Sequence, residues 1–507
     1  MHCTALYPSG AEQAEHFPRD TAWEHSVMGA VVYGDTLVRY NPAVCPYLTI
    51  LTMSVPQPPT AKAPLDILIV GCGLGGLSAA CALTDAGHKV TMVEAAATIG
   101  DVGAGIQVSP NVTRLLVRWG IGDALAKVAV KPARFVTRRY SNGKVIGVTP
   151  LNGEGITTPE LPYYNVHRAD LHRLLYERVA PRVALRLNCR VVSVDPEAPS
   201  LTLESGEVLH GDLVIGADGV HSTLQQAVVG QKIPATPTGD AAYRALIPTE
   251  LLLKDPDLKS FVENPEVTSW MGPHRHIVAY NVRACELYNI VLAHPDKGSV
   301  ESWTAEGSAE LMRAGYTDFE PRVQKLLGLI ESTLEWRLLD RQPLKTWMHP
   351  AGKLTLLGDA CHPMLPYRAQ GAAMAMEDAA IIGTLLSHIT SVSQLPKFLK
   401  AYEDLRLPRA TAMQNESRLN QHYVHMPDGP EQEQRDTGIW NVFSGEKEKG
   451  PESAGEVVAG SAEISATDAE SKSAGGRAER QKVATHFGYD AIGDAERWWR
   501  DVGIKEI

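Results

Sequence analysis

The chain has 507 residues, of which 44% are hydrophobic and 21% charged, so it is long enough to form about two to four globular domains. Acidic residues outnumber basic ones by 59 to 48, and the net charge of -11 excludes nucleic acid as an expected partner. The seven cysteines are scattered without paired spacing, which predicts no metal site and no disulfide framework, and favours a cytoplasmic location.

The N-terminal part, residues 1–64, shows no sustained hydrophobic periodicity and ends in a proline-rich linker. It lacks the basic region and apolar run of a signal peptide. We therefore predict an unstructured N-terminal extension, with Met53 as an alternative initiator. The longest apolar stretch, residues 67–83, is interrupted by glycines and is shorter than the roughly 20 apolar residues of a membrane span. No membrane span is predicted.

The first strong strand, residues 65–70, leads into a glycine-rich turn and an alanine-rich amphipathic helix. Gly71 permits the tight turn, Gly73 lets a pyrophosphate approach the backbone, and Gly76 allows close packing of the helix, whose N-terminus faces the phosphates. The next strand ends at Glu94, about twenty residues further on, where a carboxylate accepts hydrogen bonds from ribose hydroxyls. This pattern predicts a dinucleotide site but leaves NAD and FAD both open.

Two later segments repeat the order of strand, turn and helix. They are GDLVIGADGVHSTLQQAV at residues 211–228 and LTLLGDACHPMLPYRAQGAAMAMEDAAIIG at residues 354–383. Their turns and helix starts contain small or acidic residues, namely Asp218, Gly358, Asp359, Gly371 and Ala372. Between them, residues 241–340 contain alternating segments such as HIVAYNVR and ELYNIVLAH, which predict an antiparallel sheet.

The C-terminal part divides into two stretches of different composition. Residues 426–482 are rich in Gly, Glu, Ser, Lys and Ala, and such a composition buries too little apolar surface to offset the entropy of ordering. We predict a disordered insert there. Residues 483–507 regain aromatic side chains and are predicted to dock back on the folded body.

Together with the glycine turn, residues 211–228 and 354–383 resemble the DG and GD motifs of the flavoprotein aromatic hydroxylases, the group A flavoprotein monooxygenases. VGAGIQVSPNVTRLL at residues 102–116 and VHRADLHRLL at residues 166–175 resemble the salicylate hydroxylase-like branch, which includes many fungal enzymes of secondary metabolism. The resemblance covers about residues 65–425. It implies an α/β fold in which a β-sheet substrate domain is inserted into a Rossmann-like FAD-binding domain. It also implies a fungal source.

In that fold, residues 65–240 and 341–425 form the discontinuous FAD-binding domain, and residues 241–340 form the substrate domain. The resemblance implies non-covalent FAD, and it implies that the cofactor is contacted by Gly105, Gln107, Arg168, Asp218, Gly358, Asp359, Gly371 and Ala372, besides the glycine turn and Glu94. Structural alternatives stay open, in which Asp218 and Asp359 cap helices and Arg168 forms a surface ion pair. We interpret His362 as structural.

The resemblance implies an FAD-dependent monooxygenase that uses NADH or NADPH and O2 to hydroxylate a small aromatic substrate through a flavin C4a-hydroperoxide. Arg244 would hold a substrate phenolate or carboxylate, and Tyr280 would donate a hydrogen bond or act as an acid. Their alternatives are a sheet-edge arginine and a core tyrosine. A second glycine-rich fingerprint is absent from the sequence, which implies that the nicotinamide donor binds transiently.

Three other functions remain open. A flavin halogenase is disfavoured because the W-x-W-x-I-P signature is absent. A flavin dehydrogenase or reductase shares the same cofactor motifs, and a non-catalytic flavin-binding protein would bind FAD without turnover. The protein is expected to be a monomer or homodimer.

Overall fold

The computed structural model describes residues 29–33, 36–40, 59–99, 103–151, 161–300, 305–443 and 485–507. In chain order its strands are β1 (Gly29–Tyr33), β2 (Thr36–Tyr40), β3 (Asp66–Val70), β4 (Lys89–Val93), β5 (Gly105–Val108), β6 (Arg134–Arg139), β7 (Val145–Pro150), β8 (Tyr164–His167), β9 (Val183–Arg186), β10 (Val191–Asp195), β11 (Ser200–Leu203), β12 (Val208–His210), β13 (Leu213–Gly216), β14 (Thr236–Pro248), β15 (Val267–Gly272), β16 (Arg275–Val282), β17 (Leu287–Pro295), β18 (Glu306–Gly307), β19 (Thr333–Asp340) and β20 (Leu354–Leu356).

The α-helices are α1 (Leu74–Asp85), α2 (Pro110–Arg118), α3 (Gly122–Val128), α4 (Arg168–Val179), α5 (Leu224–Val229), α6 (Thr249–Leu253), α7 (Ser260–Glu263), α8 (Ala309–Ala314), α9 (Pro321–Gly328), α10 (Gly371–Leu386), α11 (Leu395–Val424), α12 (Pro430–Phe443), α13 (Ala491–Trp498) and α14 (Ile504–Glu506).

The chain divides into two compact units, residues 1–56 and 57–507. In the first unit, β1 and β2 form an antiparallel hairpin in which Gly29 pairs with Tyr40. The prediction of an unstructured extension is therefore wrong for this hairpin. Its alternation is too short, at five residues a strand, to register as sustained periodicity.

The second unit contains a five-stranded parallel sheet in the order β20, β13, β3, β4, β9. After Asp66, its central strand β3 is a buried apolar run from residue 67 to residue 70, as expected for a strand buried on both faces. Helix α1 packs against α10, and small side chains allow a close approach. A Cβ atom added to Gly383 of α10 would lie 2.5 Å from the Cβ of Ala82 in α1.

A second, mostly antiparallel sheet has the strand order β18, β19, β14, β17, β16, β15, β6, β7. The prediction limits the substrate domain to residues 241–340 and places the segment that forms the β6–β7 hairpin in the FAD-binding domain. That boundary is wrong because β6 pairs in parallel with β15, Phe135 opposite Val267. Strand β14 also begins earlier than predicted, at Thr236.

Alternation along the strands of this sheet separates its two faces. On β14, Tyr243 and Ala245 pack into the apolar cluster that includes residues of α7 to α9, whereas Ala242 packs with Trp336 in a different cluster. Because side chains alternate between faces, Arg244 lies on the Trp336 side. This second face lies against the FAD-binding domain, since Gly105 of β5 donates a hydrogen bond to Asn289 of β17.

Helix α12 lies inside the insert that was predicted to be disordered. Ile439 of α12 is buried with Ile146, Met271 and Val424, and Arg435 donates to the carbonyl of Tyr423. The prediction is wrong for residues 430–443, because the composition was averaged over the whole insert and gave no weight to the few residues of α12 that contact the folded body. Residues 444–482 of the insert lie outside the described part of the chain.

The C-terminal segment docks on the body, as predicted. Ala491, Ile492 and Ala495 of α13 are buried in the core around the parallel sheet, and Trp499 stacks on His388 with ring centroids 4.5 Å apart. Among the described residues, no helix has the length and apolar character needed to cross a bilayer.

Candidate active site

Three motifs that are far apart in the chain meet at one edge of the parallel sheet. Strands β3, β13 and β20 are neighbours, and Gly216 of β13 pairs with both Val70 and Leu356. Because the three strands run in the same direction, their carboxyl ends lie at the same level. The segments that follow them, which contain Gly71, Asp218 and Asp359, are thereby brought together, as at the ligand site of other open α/β sheets.

The glycine turn after β3 fits a pyrophosphate. Gly71 has φ +101°, and a Cβ atom there would lie 2.3 Å from the carbonyl oxygen of Ala217, so this position requires glycine. A Cβ on Gly76 would lie 2.1 Å from the carbonyl oxygen of Gly71. At Gly73, by contrast, no described atom lies within 4 Å of the added Cβ. That space lies at the N-terminus of α1, where backbone N–H groups favour an anion.

We expect Gly73→Ala and Gly71→Ala to separate cofactor binding from folding. Gly73→Ala should change the free energy of unfolding of the apoprotein by less than about 0.5 kcal/mol while weakening FAD binding. Gly71→Ala should destabilise the apoprotein by about 2–5 kcal/mol, through the strained φ and the steric overlap. Denaturant unfolding and fluorescence titration with FAD measure the two effects. Unchanged FAD affinity in Gly73→Ala would rule out the pyrophosphate at this turn.

The peptide of Cys72, inside the turn, is held on both sides. Its N–H donates to Oε2 of Glu94 at 2.8 Å, and its carbonyl accepts from Nε2 of His172 at 2.7 Å. Glu94 thus lies beside the turn, in place to accept from a ribose hydroxyl as well. His172 is not among the residues predicted from the sequence, although its spacing of four residues from Arg168 on α4 places both on one helix face.

Asp359 is accessible to solvent although many protein atoms surround it. Burial raises the pKa of its carboxyl group, against the opposing effect of His362, Arg168 and Arg341. Gly358, with φ +63°, turns the chain so that this carboxylate follows the end of β20. A carboxylate here fits a hydroxyl-rich ligand such as a ribityl chain.

Asp218 uses one carboxylate oxygen as a helix cap and leaves the other without a partner among the described residues. Its Oδ2 accepts hydrogen bonds from the backbone N–H and the hydroxyl of Thr223, at 2.8 and 3.1 Å, so it caps the start of α5. Its Oδ1 is buried and has no hydrogen-bond partner among the described residues. One oxygen is therefore structural, and the other fits a ligand hydroxyl.

Both predicted substrate residues lie where the second sheet meets the FAD-binding domain. The guanidinium of Arg244 lies over the ring of Trp336, 4.4 Å from its centroid, and its Nε is buried without a partner among the described residues. Burial lowers the pKa of Arg244 to about 10, with Tyr280 opposing and Arg168 adding to the shift. The group stays charged at neutral pH. Burial also raises the pKa of Tyr280, so its phenol stays protonated.

Strand β5 joins the two parts of the site. The N–H of Gly105 donates to Oδ1 of Asn289 at 2.7 Å, and a Cβ on Gly105 would lie 2.5 Å from the ring of Tyr280. Gln107 accepts a hydrogen bond from the hydroxyl of Tyr163 at 2.6 Å through its Oε1. Sequence reasoning did not identify Asn289, because its contact with Gly105 spans 184 residues.

Helix α10 begins at Gly371 and Ala372, as predicted, and Gln370 just before it donates to the hydroxyl of Ser109 at 2.9 Å. Its N-terminus carries a partial positive charge next to the loop that contains Asp359. That placement favours a ring that carries negative charge, such as a reduced flavin.

His362 takes part in a buried hydrogen-bond network, which is consistent with the structural interpretation. Its Nε2 lies 2.6 Å from Oδ2 of Asp378, and its ring lies against Trp347. Cys361, His362 and Asp378 form a group whose spacing a metal ion can use. However, Asp378 is already engaged by Arg406 at 2.7 Å, and burial raises the pKa of Cys361, which leaves a neutral thiol. This arrangement is that of a hydrogen-bonded network.

A glycine turn and two acidic motifs meet at one edge of the parallel sheet, and this arrangement is that of a dinucleotide-binding protein. Residues 64–417 match the FAD binding domain family. The chain is 38% identical over 382 residues to FAD-dependent monooxygenase OpS4 of Beauveria bassiana, covering 75% of this chain and 90% of that one. It is 35% identical over 376 residues to 3-amino-4-hydroxybenzoate 2-monooxygenase PtnB3 of Streptomyces platensis, covering 74% and 92%. The chain belongs to this family of FAD-dependent monooxygenases.

The fold agrees with a solved structure described as a salicylate hydroxylase substrate complex, with a TM-score of 0.66, 23% identity, and coverage of 86% of this chain and 98% of that one. The predicted α/β fold, with a β-sheet domain inserted into a Rossmann-like FAD-binding domain, is confirmed, and so are the family and the cofactor FAD. The roles of the individual site residues stay predictions.

Proposed function

We propose that this enzyme uses NADH or NADPH and O2 to hydroxylate a small, electron-rich aromatic substrate that carries a phenolate or carboxylate. The observation that carries the proposal is the half-buried guanidinium of Arg244, whose buried Nε has no partner among the described residues. A buried donor without an acceptor costs free energy, and an anionic ligand that accepts a hydrogen bond from this Nε would offset that cost. The Streptomyces platensis relative is named as a monooxygenase of 3-amino-4-hydroxybenzoate, which supports a ligand of this class.

When bound, FAD supplies the redox chemistry, accepting hydride from the nicotinamide and activating O2. The protein's own residues orient the substrate. Arg244 holds the anionic oxygen and favours the ionised form of a phenol, because its charge persists at neutral pH. Tyr280 donates a hydrogen bond to the same oxygen. Because its pKa is raised, Tyr280 keeps its proton, so it suits the role of hydrogen-bond donor rather than that of an acid that releases a proton.

The walls of the junction exclude water. Trp336 covers one side of Arg244, while Tyr163 packs against Phe487 of the C-terminal segment, with ring centroids 5.9 Å apart. Exclusion of water prevents wasteful release of hydrogen peroxide. We further propose that the enzyme acts in the cytoplasm as a monomer or homodimer, in secondary metabolism or aromatic catabolism. The five cysteines in the described part of the chain are free thiols, which supports a reducing compartment.

The purified protein should show a flavin spectrum, and a screen of phenols, hydroxybenzoates and aromatic acids should find a compound that stimulates coupled oxidation of NADH or NADPH and uptake of O2. Hydroxylated product in amounts that match the oxidised nicotinamide would support hydroxylation. Nicotinamide oxidation without oxygenated product would favour a flavin dehydrogenase or reductase. Bound FAD without any stimulated oxidation would indicate a non-catalytic flavin-binding protein.

A further inference from the structure

Asn289 of β17 is a buried amide on the face of the second sheet that carries both predicted substrate residues. It lies directly opposite Tyr280 of β16 and Leu246 of β14, and residues that are opposite each other across a sheet project to the same face. Arg244 is two residues from Leu246 on the same strand, so its side chain points to that face as well. Asn289 therefore lies beside Tyr280 and diagonally across from Arg244.

The contact with Gly105 fixes the orientation of the Asn289 amide. The N–H of Gly105 can only donate, so the atom that it meets at 2.7 Å is the oxygen, Oδ1. The other terminal atom is therefore the nitrogen, Nδ2. Asn289 is 0% exposed, and its Nδ2 is buried with no hydrogen-bond partner among the described residues. A buried donor without an acceptor is costly, so an acceptor is expected to meet it.

Nδ2 of Asn289 lies on the side of Gly105 where Tyr280 lies. A Cβ atom added to Gly105 would lie 2.9 Å from Nδ2 and 2.5 Å from Cε2 of the Tyr280 ring. Both atoms thus lie around one point beside the backbone of β5, and Cε2 is bonded to the ring carbon that carries the phenolic hydroxyl. The donor group of Asn289 and the hydroxyl-bearing edge of Tyr280 are therefore neighbours.

We propose that Asn289 is a further substrate-binding residue, which donates from Nδ2 to the anionic group held by Arg244 and Tyr280 while its Oδ1 holds the backbone of Gly105. The proposal rests on the proposed hydroxylation of an anionic aromatic substrate in this junction. Gly105 belongs to the segment predicted to contact FAD, so a single planar amide connects the substrate to the loop beside the cofactor. Asn289 thereby sets the position of the reacting ring relative to that loop.

Asn289→Asp is the most direct test, because it replaces the donor Nδ2 by a carboxylate oxygen with little change in shape, while the other oxygen still accepts from Gly105. Asn281→Asp is the matched control. Asn281 is also 0% exposed and lies on β16 of the same sheet, but it points to the opposite face from its neighbour Tyr280 and donates to the carbonyl of Phe261 at 2.7 Å. FAD-loaded proteins are titrated with a panel of hydroxybenzoates, each paired with its neutral carboxamide, and binding is read from the flavin spectrum.

Asn289→Asp should weaken binding of the hydroxybenzoates about tenfold to a hundredfold, because a donor is lost and the new carboxylate repels the substrate and competes for Arg244. The carboxamides should lose less affinity, so the ratio of acid to amide affinity should fall. In Asn281→Asp that ratio should stay within about twofold of the wild type. An unchanged ratio in Asn289→Asp would overturn the proposal. Titration of the apoproteins with FAD should show that Asn289→Asp keeps its cofactor affinity, since the contact with Gly105 remains.

Asn289→Leu keeps the test decisive if Asn289→Asp does not fold. Leucine has similar bulk but forms neither hydrogen bond, so this variant should bind hydroxybenzoates about tenfold more weakly and bind FAD more weakly than Asn289→Asp does. It should also release more hydrogen peroxide per nicotinamide oxidised, because the substrate is no longer fixed relative to the cofactor. Weaker FAD binding with unchanged hydroxybenzoate affinity would restrict Asn289 to supporting the loop of Gly105 and would contradict substrate binding.

Failure of this assignment differs from failure of the proposed function. If the wild type binds none of the hydroxybenzoates, the proposed function fails at its substrate class. If the wild type binds and hydroxylates one of them, and the Asn289 variants bind it with the same affinity and selectivity, only the assignment of Asn289 fails.

Discussion

Replacing Arg244 by methionine should lower kcat/KM for the aromatic substrate by about a hundredfold, while FAD content stays unchanged. Methionine keeps an unbranched side chain of similar bulk but removes the guanidinium that lies over the ring of Trp336, and with it the charge. Loss of charge-assisted hydrogen bonds costs about 1.5–3 kcal/mol, which is about tenfold to 150-fold in binding of the transition state. Misplacement of the reacting carbon adds to that loss.

A second readout separates this role from a structural one. If Arg244 orients the substrate, Arg244→Met should release more hydrogen peroxide per nicotinamide oxidised, because the substrate no longer meets the activated oxygen in the right place. Arg244→Lys should recover part of the rate, since it restores the charge but not the bidentate geometry. Arg134→Met on β6 of the same sheet is the matched control, because Arg134 is half-exposed and pairs with Glu266. Loss of FAD in Arg244→Met would place this arginine in the cofactor site.

Replacing Arg406 by methionine should lower the free energy of unfolding by about 3–5 kcal/mol, the cost of removing one partner from a buried ion pair. Arg406 is fully buried and pairs with Glu377 at 2.8 Å and Asp378 at 2.7 Å. Glu377 keeps a second partner in Arg409, whereas Asp378 would keep only His362 and a backbone N–H. Denaturant unfolding of FAD-loaded and apoprotein measures the loss and separates it from effects on cofactor binding.

The double variant Arg406→Met with Asp378→Asn should be less destabilised than the sum of the two single variants, because the charge left uncompensated is gone. Arg173→Met, which removes an exposed pair with Glu177, should cost less than about 1 kcal/mol. Burial acts to raise the pKa of Asp378, but His362 and Arg406 outweigh it and the pKa is lowered. Its contribution to stability is therefore present above the ordinary pKa of a carboxyl group and is lost as the pH falls through the lowered value. Additive effects in the double variant would contradict this coupling.

Local patterns predicted the elements that follow simple chemical rules. The turn from β3 to α1, the strand before Asp218, and the strand and helix around Asp359 each depend on residues within about thirty positions of one another. The glycines at this turn act through backbone sterics, which depend little on distant residues. The same segments carried the family resemblance, and with it the cofactor.

Predictions failed where the outcome depended on distant partners or on averages over long segments. The β6–β7 hairpin joined the substrate sheet because β15 offered a free edge, and no local pattern states which edge a strand will meet. Helix α12 formed inside a polar insert because Ile439 found an apolar site among Ile146 and Met271. Asn289 and His172 are ordinary polar residues until packing places them against the backbone of the site.

The sequence by itself determined the nucleotide turn at Gly71 to Gly76, the acidic motifs and the alternation of the substrate sheet, because each follows from backbone sterics or from side-chain periodicity. Only the tertiary structure decided that one oxygen of Asp218 caps α5 while the other has no partner among the described residues. It also decided that the charge of Arg168 acts on Arg244. The reason is physical: parallel neighbouring strands bring their carboxyl ends to one edge whatever their separation in the chain, and the partners of a side chain depend on that packing.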